Sequence, residues 1–378
     1  MTKDGKTQSY ARFKNNEIIL NLLRKKVYSA TELAAEMKLS NAALSQIICE
    51  LSSKKLIKSI SSGEQNARGR HRKYLALNGD YGMIVAVGFS DNEIHIAFSD
   101  FAGKIVYEER ISERLNYDFT IVYKTILLIN KIYGKKFKDI PLLSVNLSVP
   151  GKVNNEAMTI AKSVQFNKLI GDNEGKLIEV FGHYFDVPVR IFNDMNLSLL
   201  AEQEALGEQR RNFILLHIDA GVGGAFYLNE KIYEGDHGFA GELGMMPVLF
   251  DGEKTVLDSA ASFTSVAERL SEKEGRAFTI NELKGLYFTS QNVRNEFLRS
   301  AAVAGDAVGA VAEIFDIGCV IVNGAVSAFD GEYKDTLTEA ARRHDKSLNV
   351  VFSELKDSCV LGAVIAAVKK EILRAISD

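Results

Sequence analysis

Cysteine is scarce in this sequence of 378 residues, which contains three, Cys49, Cys319 and Cys359. Because they lie far apart, we expect neither a disulfide framework nor a clustered cysteine metal site, and we interpret them as small packing residues. Long apolar runs are also missing. No stretch approaches the roughly 18 apolar residues of a membrane span, and no apolar segment follows the first basic residues. These absences predict a cytoplasmic protein without a membrane partner, and a hydrophobic fraction of 46% suffices for two or three domains.

Net charge is small but unevenly distributed. The formal charge of the whole chain is −3. Residues 1–78 contain 15 Lys and Arg against 6 Asp and Glu, whereas the rest of the chain contains 31 against 43. A basic first segment on an acidic body favours an anionic polymer as the partner of that segment, although a merely soluble basic domain has the same composition. The pattern of elements within the segment decides between these two interpretations.

Three helical patterns follow one another in residues 1–78. Asn15 or Asn16 is placed to cap the first helix. Ser29 begins the second, with Glu32 at the capping-box position. Ser40 caps the third, in which apolar residues recur at helical spacing. This succession predicts a helix-turn-helix.

The third helix and the segment after it carry the predicted DNA contacts. Short polar side chains on the outer face of the helix suit base edges in a major groove. The following segment has two strand patterns around a loop in which arginines flank a glycine, which suits a wing that enters the narrow minor groove of A·T-rich DNA. A solvated charge run is the more common interpretation of such a loop, but its position after a recognition helix favours DNA. The predicted contacts are Ser40, Asn41, Ala42, Ser45, Gln46, Arg68, Gly69, Arg70, Arg72 and Lys73.

An apolar run followed by glycines forms the centre of the remaining chain. Phe213–Ile218 is typical of a strand buried on both faces, and residues 225–228 predict the returning strand of a hairpin. Between them, Gly221, Gly223 and Gly224 allow the backbone to turn tightly or to approach a ligand. Glycines after a strand are more often ordinary turn residues than a ligand cradle. The hairpin alone therefore does not define a site.

Polar residues on either side of this hairpin are candidates for one cleft. Asn193 and Asp194 close an apolar run upstream, and Glu242 lies in a glycine-rich loop downstream. An Asn-Asp pair at the end of a strand is more often a helix cap than a functional pair. The order and spacing of the pieces favour a common site.

Five motifs follow one another along the chain, namely SVPGKV at Ser148–Val153, NDMN at Asn193–Asn196, DAGVGGAF at Asp219–Phe226, GFAGELG at Gly238–Gly244 and VIVNGAVS at Val320–Ser327. In this order they resemble the ROK family (repressors, open reading frames and kinases), which shares the actin-like fold of sugar kinases. The resemblance spans almost the whole chain, and the N-terminal segment is similar to the DNA-binding domain of the family's sugar-responsive repressors.

The resemblance implies an α/β fold class, with an N-terminal winged helix-turn-helix followed by a duplicated actin-like (ribonuclease H-like) ATPase/sugar kinase fold. We expect the winged helix-turn-helix at 1–78 and the kinase-like domain at 79–378. Its first subdomain is expected at 79–195 together with a C-terminal helix at 361–378, and its second at 196–360.

Two departures from the family pattern concern phosphate chemistry. The family's kinases hold ATP and magnesium with an Asp-x-Gly-x-Thr loop in the first hairpin, where this sequence has Gly88 at about the aspartate position. Ala220 stands where the kinases usually have threonine in the second glycine loop. Asp194 matches the family's general base, yet a carboxylate serves equally as a hydrogen-bond acceptor. These departures predict no catalytic residues, no bound cofactor and no kinase activity.

This sequence retains part of the family's sugar loop but lacks the ligands of the family's zinc site. Glu242 is retained, and Asp258 occupies the position of a family glutamate that reaches sugar hydroxyls. Met245 replaces a histidine that contacts sugar and binds a structural zinc, and Val256 stands where the last of three cysteines is expected. All four zinc ligands are missing, so no metal site is predicted. The predicted sugar-binding residues are Asn193, Asp194, Glu242 and Asp258.

The resemblance implies a transcriptional regulator, foremost a repressor of carbohydrate-utilisation genes that binds a double-stranded DNA operator as a homodimer or homotetramer. A sugar or sugar phosphate is the expected effector. Two alternatives remain open at this stage. One is a sugar kinase with an added DNA-binding segment, and the other is a regulator controlled by a protein partner without a sugar ligand.

Overall fold

The computed structural model describes residues 8–61, 73–90, 93–112, 119–154, 158–163, 176–207 and 210–377. Within these ranges the α-helices are α1 (Gln8–Lys25), α2 (Ala30–Met37), α3 (Asn41–Ser53), α4 (Phe119–Lys136), α5 (Lys176–Tyr184), α6 (Asp194–Leu206), α7 (Leu257–Ala261), α8 (Phe263–Glu274), α9 (Ile280–Leu286), α10 (Gln291–Phe315), α11 (Gly331–Ala341) and α12 (Ser358–Ser377). Single 3-10 turns lie at Gly79–Tyr81, Leu243–Met245 and Ala325–Ala328.

The β-strands of the described chain form three larger sheets and two isolated hairpins. They are β1 (Tyr28–Ser29), β2 (Ile57–Ser61), β3 (Lys73–Leu77), β4 (Met83–Phe89), β5 (Glu93–Asp100), β6 (Ile105–Ser112), β7 (Leu142–Val149), β8 (Lys152–Asn154), β9 (Thr159–Lys162), β10 (Val189–Asn193), β11 (Phe213–Ile218), β12 (Val222–Leu228), β13 (Lys231–Ile232), β14 (Pro247–Phe250), β15 (Glu253–Val256), β16 (Cys319–Gly324) and β17 (Asn349–Phe352).

The N-terminal segment consists of α1 to α3 and the sheet β1-β3-β2. At the start of α2 the Ser29 hydroxyl accepts from the Glu32 amide, and the Glu32 carboxylate accepts from the Ser29 amide, so the predicted capping box is present. The predicted start of the first helix is wrong, because α1 begins at Gln8 and Asn16 lies inside it. There the buried Asn16 side chain donates to Glu50 on α3 at 3.2 Å. Its polar group therefore joins two helices instead of capping one.

The first kinase-like sheet has the order β10-β7-β4-β5-β6. Every residue of β4 is buried, and β4 pairs with β5 in antiparallel register from Met83 and Asp100 to Phe89 and Ile94. A strand buried along its whole length is consistent with the continuous apolar sequence of β4. The hairpin β4–β5 is thus an element of the core.

The second kinase-like sheet has the order β13-β12-β11-β16-β17. β11 pairs antiparallel with β12 from Phe213 and Tyr227 to Ile218 and Val222, and parallel with β16 on its other edge. The helices α8 to α11 bury their apolar faces against this sheet in one continuous core. The predicted hairpin is therefore present, with its turn at 219–221.

The chain divides into two compact units, 1–147 with 176–190 and 363–378, and 148–175 with 191–362. The N-terminal segment and the first kinase-like half fall in the same unit in this division. The predicted boundaries near 78, 195 and 361 stay predictions. Among the described residues, no helix is both long and apolar enough to cross a membrane.

Candidate functional site

The helix-turn-helix geometry comes from a short turn between α2 and α3. Lys38 adopts a left-handed conformation at φ 52°, which ends α2, and its amide returns to the Ala35 carbonyl at 3.2 Å. Ser40 then caps α3 by accepting from the Ala43 amide at 3.2 Å. With both ends fixed within three residues, α3 is held at a defined angle to α2.

The predicted DNA-contacting face of α3 is open to solvent. Leu44, Ile47 and Leu51 are buried on the inner face of the helix. The outer face presents side chains that are all exposed, namely Ser40, Asn41, Ala42, Ser45 and Gln46. Lys73, at the start of β3, is exposed as well, whereas the predicted wing contacts Arg68, Gly69, Arg70 and Arg72 lie outside the described residues.

Two glycines of the second hairpin make close contacts with segments that carry predicted sugar-binding residues. A Cβ atom at Gly223 would lie 2.8 Å from Sδ of Met195, the residue after Asp194. A Cβ atom at Gly221 would lie 3.3 Å from Oδ1 of Asp258. At Gly223, any residue larger than glycine would displace the side chain of Met195. The start of β12 therefore lies close to two segments, one with Asp194 and the other with Asp258.

Gly224 and Gly241 place the third predicted carboxylate beside the same strand. A Cβ atom at Gly224 would overlap the side chain of Leu243, the residue after Glu242, and would lie 2.9 Å from a backbone carbonyl oxygen of β11. Gly241 has φ 94°, and a Cβ atom there would lie 2.7 Å from the Gly224 carbonyl oxygen. The sequence predicted these glycines as turn or cradle residues, and in the structure they are packing contacts around which the three segments converge.

Asn193 acts as a helix cap in this structure. Its Oδ1 accepts from the Asn196 amide at 2.8 Å at the start of α6, and its Nδ2 donates to the Gly151 carbonyl at 2.8 Å. Both ends of the amide are therefore engaged by the protein. A role in sugar binding stays a prediction, and it requires that one of these bonds be shared or exchanged.

Asp194 and Asp258 each hold backbone amides. Oδ1 of Asp194 accepts from the Met195 amide at 2.9 Å, in the first turn of α6. Oδ1 of Asp258, in the first turn of α7, accepts from the Val222 amide at 2.7 Å and so fixes the start of β12. Each of the two side chains is half-buried. Carboxylates fixed in this way are oriented acceptors for the hydroxyl groups of a sugar.

The charges of two lysines, to which the sequence analysis gave no role, act on Glu242. The side chain is exposed and does not cap the adjacent 3-10 turn. The protein around its carboxyl group raises the pKa of Glu242 above the ordinary value, and the charges of Lys152 and Lys162 oppose this rise. Lys152 and Lys162 are directly opposite each other on β8 and β9. Lys152 belongs to the SVPGKV motif, which was the signal that could have identified it.

Cys359 also lies near the candidate site. The sequence analysis interpreted this cysteine as a packing residue. Burial raises the pKa of its thiol to about 12, and the nearby carboxylate of Asp194 acts in the same direction. The group is therefore a neutral thiol near neutral pH, and it is not an activated nucleophile. The packing role predicted for Cys359 agrees with this environment.

A structural zinc does not fit the described residues. Such a site needs four cysteine, histidine or carboxylate ligands in tetrahedral geometry. Met245 is 57% exposed and Val256 lies on β15, and neither side chain offers a donor that zinc prefers. Across the described ranges, no group of three or more His, Cys, Asp or Glu is arranged to hold a metal ion.

Comparison with known proteins identifies the family. The sequence model of the ROK family matches residues 84–370. The chain belongs to the ROK family. The family resemblance given by the five motifs is thereby confirmed.

Relatives within the ROK family include both regulators and kinases. A xylose repressor of Caldicellulosiruptor bescii is 23% identical over 390 aligned positions, which cover 94% of this chain and 95% of the repressor. A glucokinase of Halalkalibacterium halodurans is 24% identical, with 69% of this chain and 84% of the kinase covered. Because 94% of this chain is aligned, the alignment with this repressor extends into residues 1–78.

Solved ROK structures confirm the predicted fold class. A ROK transcriptional regulator described as a homologue of the Escherichia coli Mlc protein superposes with a TM-score of 0.78 over 97% of this chain and 98% of its own, at 17% identity. A ROK glucokinase from Streptomyces griseus, solved with glucose and AMPPNP, superposes with a TM-score of 0.63 over 75% of this chain and 99% of its own, at 18% identity. The kinase-like fold and an N-terminal extension shared with a regulator are both supported.

Proposed function

We propose that this chain is a DNA-binding transcriptional repressor of carbohydrate genes that responds to a sugar or sugar phosphate. The observation that carries the proposal is the pairing, on one chain, of an exposed polar recognition helix with a hairpin around which three carboxylate-bearing segments converge. The alignment of 94% of the chain with a xylose repressor supports the same combination.

In the proposed mechanism the effector acts by linkage. A sugar that binds more tightly to one conformation of the kinase-like domain shifts the population toward that conformation. If the chain is a homodimer or homotetramer, two recognition helices must be about one turn of DNA apart, roughly 34–36 Å, to read two half-sites. A small change in that spacing reduces operator affinity. Glu242, Asp194 and Asp258 are the proposed hydroxyl acceptors.

We also propose that the chain is not a sugar kinase. Asp194 is retained, but Gly88 stands where the family's Asp-x-Gly-x-Thr pattern begins. Without that carboxylate, magnesium-bound phosphate lacks a main ligand in the first hairpin. Asp194 then serves as an acceptor that orients a sugar hydroxyl, and no phosphoryl transfer follows.

A thermal-shift screen tests the effector half of the proposal. The probes are D-xylose, D-glucose, N-acetylglucosamine and their phosphates. We expect one of them to stabilise the protein, by about 2.7 kcal/mol at a hundredfold excess over its dissociation constant. Asp194→Asn should abolish that stabilisation, because the amide has one acceptor oxygen fewer, while the exposed control Asp335→Ala on α11 should retain it. A screen without any shift would favour a regulator controlled by a protein partner.

A binding-site selection on random duplex DNA tests the other half. The selected duplex should bind the wild type more tightly than scrambled DNA does. Gln46→Ala should weaken binding to the selected duplex by roughly 1–3 kcal/mol and leave non-specific binding nearly unchanged, because a base contact is lost. Gln291→Ala, an exposed glutamine on α10, is the matched control and should bind as the wild type does. Equal affinity of the wild type for all duplexes contradicts the proposal.

A further inference from the structure

The hairpin β14–β15 leads directly into the helix that carries Asp258. Its register runs from Pro247 and Val256 to Phe250 and Glu253, and the turn consists of Asp251 and Gly252. An isolated two-stranded hairpin is marginally stable in water. This is also the segment in which the zinc ligands implied by the family resemblance are missing. Some other contact must therefore hold it in place.

Two arginines lie close to the aromatic ring of Phe250 at the end of β14. The guanidinium of Arg269 on α8 lies 4.7 Å from the ring centroid of Phe250, and that of Arg299 on α10 lies 4.8 Å from it. Planar guanidinium groups stack well on aromatic rings and are weakly hydrated. The tip of the hairpin is thus held from two helices. Arg299 also forms an ion pair with Asp251 in the turn.

A buried carboxylate fixes both arginines. Glu296 on α10 is 3% exposed, and it accepts from Arg269 at 2.6 Å and from Arg299 at 2.8 Å. Lys273 donates to the same carboxylate at 3.0 Å. A buried charge with several charge-assisted bonds is well compensated, and the removal of one partner is costly. We call the group Phe250, Asp251, Arg269, Glu296 and Arg299 the arginine clasp.

Arg269 connects the arginine clasp to the candidate sugar site. It donates to the Ser259 carbonyl at 2.8 Å and to the Ala260 carbonyl at 3.0 Å, at the end of α7. These carbonyls have no partner within so short a helix. Asp258 lies one residue before Ser259 and accepts from the Val222 amide. One guanidinium therefore bonds to Glu296, stacks on the hairpin and fixes the helix that orients Asp258.

We propose that the arginine clasp takes the place of a structural zinc in this chain, and that Arg269 is a positioning residue for Asp258. The hairpin is held by charge and aromatic contacts within the protein, without a metal. Arg269 also fixes α7, and Asp258 on α7 accepts from the Val222 amide at the start of β12. A well-ordered hairpin therefore stabilises the position of Asp258.

Hydrogen exchange on the full chain tests the proposal. In Arg269→Ala, we expect the peptide 247–256 and the Val222 amide to exchange on the order of tenfold faster or more, because their local opening becomes easier. Arg211→Ala is the matched control, since among the residues that the structure describes Arg211 pairs with the exposed Glu230, at 3.2 Å. It should leave both rates unchanged.

Arg269→Lys separates positioning from a general loss of stability. Arg269 donates to Glu296 and to the two carbonyls from three separate nitrogens, whereas a lysine that pairs with Glu296 has a single nitrogen and does not reproduce this geometry. The peptide 247–256 should therefore regain part of its protection from hydrogen exchange, whereas the Val222 amide should still exchange as fast as in Arg269→Ala. Equal recovery at both places would overturn the positioning role.

Two further measurements keep the test decisive if Arg269→Ala does not fold. Phe250→Leu keeps an apolar side chain but removes the stacked ring, and it should still accelerate exchange in 247–256. Dialysis of the wild type against EDTA, and addition of zinc chloride, should change neither the melting temperature nor the exchange of the hairpin. Faster exchange after EDTA, or an unchanged hairpin in Phe250→Leu, would overturn the proposal.

Discussion

The two kinase-like halves contain the same hairpin in different surroundings. In the first half, β4 and β5 are buried strands, and just after β4 the Ser90 hydroxyl donates to the carbonyl of Glu93, the first residue of β5. In the second half, the turn between β11 and β12 is bonded to a distant residue, because Val222 donates to Asp258. In both halves the strands of the hairpin belong to the core. In the second half the hairpin also contacts the segments that contain the candidate site residues.

The contacts of the glycines show what this difference requires of the sequence. Gly223, Gly224 and Gly241 each lie where a Cβ atom would meet a neighbouring segment at less than the distance of normal contact. Such positions tolerate one residue type, so the glycine pattern is a signature of the converging segments. Substitutions in the two halves should therefore have very different effects.

The largest effect is expected for Gly241→Ala. The new Cβ atom would lie 2.7 Å from the Gly224 carbonyl oxygen at φ 94°, so crowding and backbone strain add, and we expect a loss of about 3 kcal/mol in the free energy of unfolding. Ser90→Ala in the first hairpin removes the hydroxyl bond of an exposed side chain to Glu93 and should cost less than about 0.5 kcal/mol. Urea denaturation measures both.

A second control separates strain from crowding. Gly252 has a similar φ of 82° but no atom within 4 Å of its would-be Cβ. Gly252→Ala should therefore cost about 1 kcal/mol, from strain alone. If Gly241→Ala and Gly252→Ala cost the same, the converging contacts do not matter and the contrast between the two halves fails.

How much the sequence predicted depends on how local each signal is. The hairpin β11–β12, the capping box of Ser29 and the buried strand β4 follow from periodicity and caps within a few residues. The first helix was predicted to start too late, because an asparagine that suits a cap is instead bonded to Glu50, 34 positions away. A partner so distant leaves no local pattern.

The candidate site shows the same limit. The motifs and the family resemblance made Asp194, Glu242 and Asp258 candidates, but they did not show what each side chain does within the protein. Arg269 was not identified, because its carboxylate partner Glu296 lies on another helix. A lone arginine on a predicted helix is indistinguishable from a solvated surface residue. The wing contacts stay predictions.

Buried carboxylates offer a second comparison of the two halves. Glu371 on α12 is bonded to Arg190 at 2.7 Å, so its charge is paired. Within the described part of the chain, the partners of Glu202 on α6 are neutral, namely Ser353 at 2.7 Å and Asn323 at 3.1 Å. Burial raises the pKa of Glu202 above its ordinary value of 4.5, and the two hydrogen bonds only partly oppose this. The two carboxylates should therefore respond oppositely to neutralisation.

The expected pH dependence follows from proton binding. Between pH 4.5 and the raised pKa, the folded state keeps the proton on Glu202 and the unfolded state loses it, so stability falls as pH rises through this window. Glu202→Gln should remove this fall and be slightly more stable than the wild type at neutral pH. Glu371→Gln should cost about 2 kcal/mol at the same pH, because Arg190 loses its charged partner. Thermal unfolding from pH 4 to 8 measures both, and a loss of stability at neutral pH in Glu202→Gln would contradict the assignment.

The smallest expected effect is that of MgATP, for which we predict no stabilisation. A kinase of this fold holds the nucleotide phosphates with both hairpins, and a nucleotide at a hundred times its dissociation constant would add about 2.7 kcal/mol. At the positions where the family resemblance implies the carboxylate of the first hairpin and the threonine of the second, this sequence has Gly88 and Ala220. The glucokinase from Streptomyces griseus, which was solved with AMPPNP, is the positive control. A thermal shift with MgATP in this chain would mean that phosphate binding survives without that carboxylate. The first hairpin would then bind a ligand as well, and it would no longer differ from the second hairpin, which lies beside the candidate site.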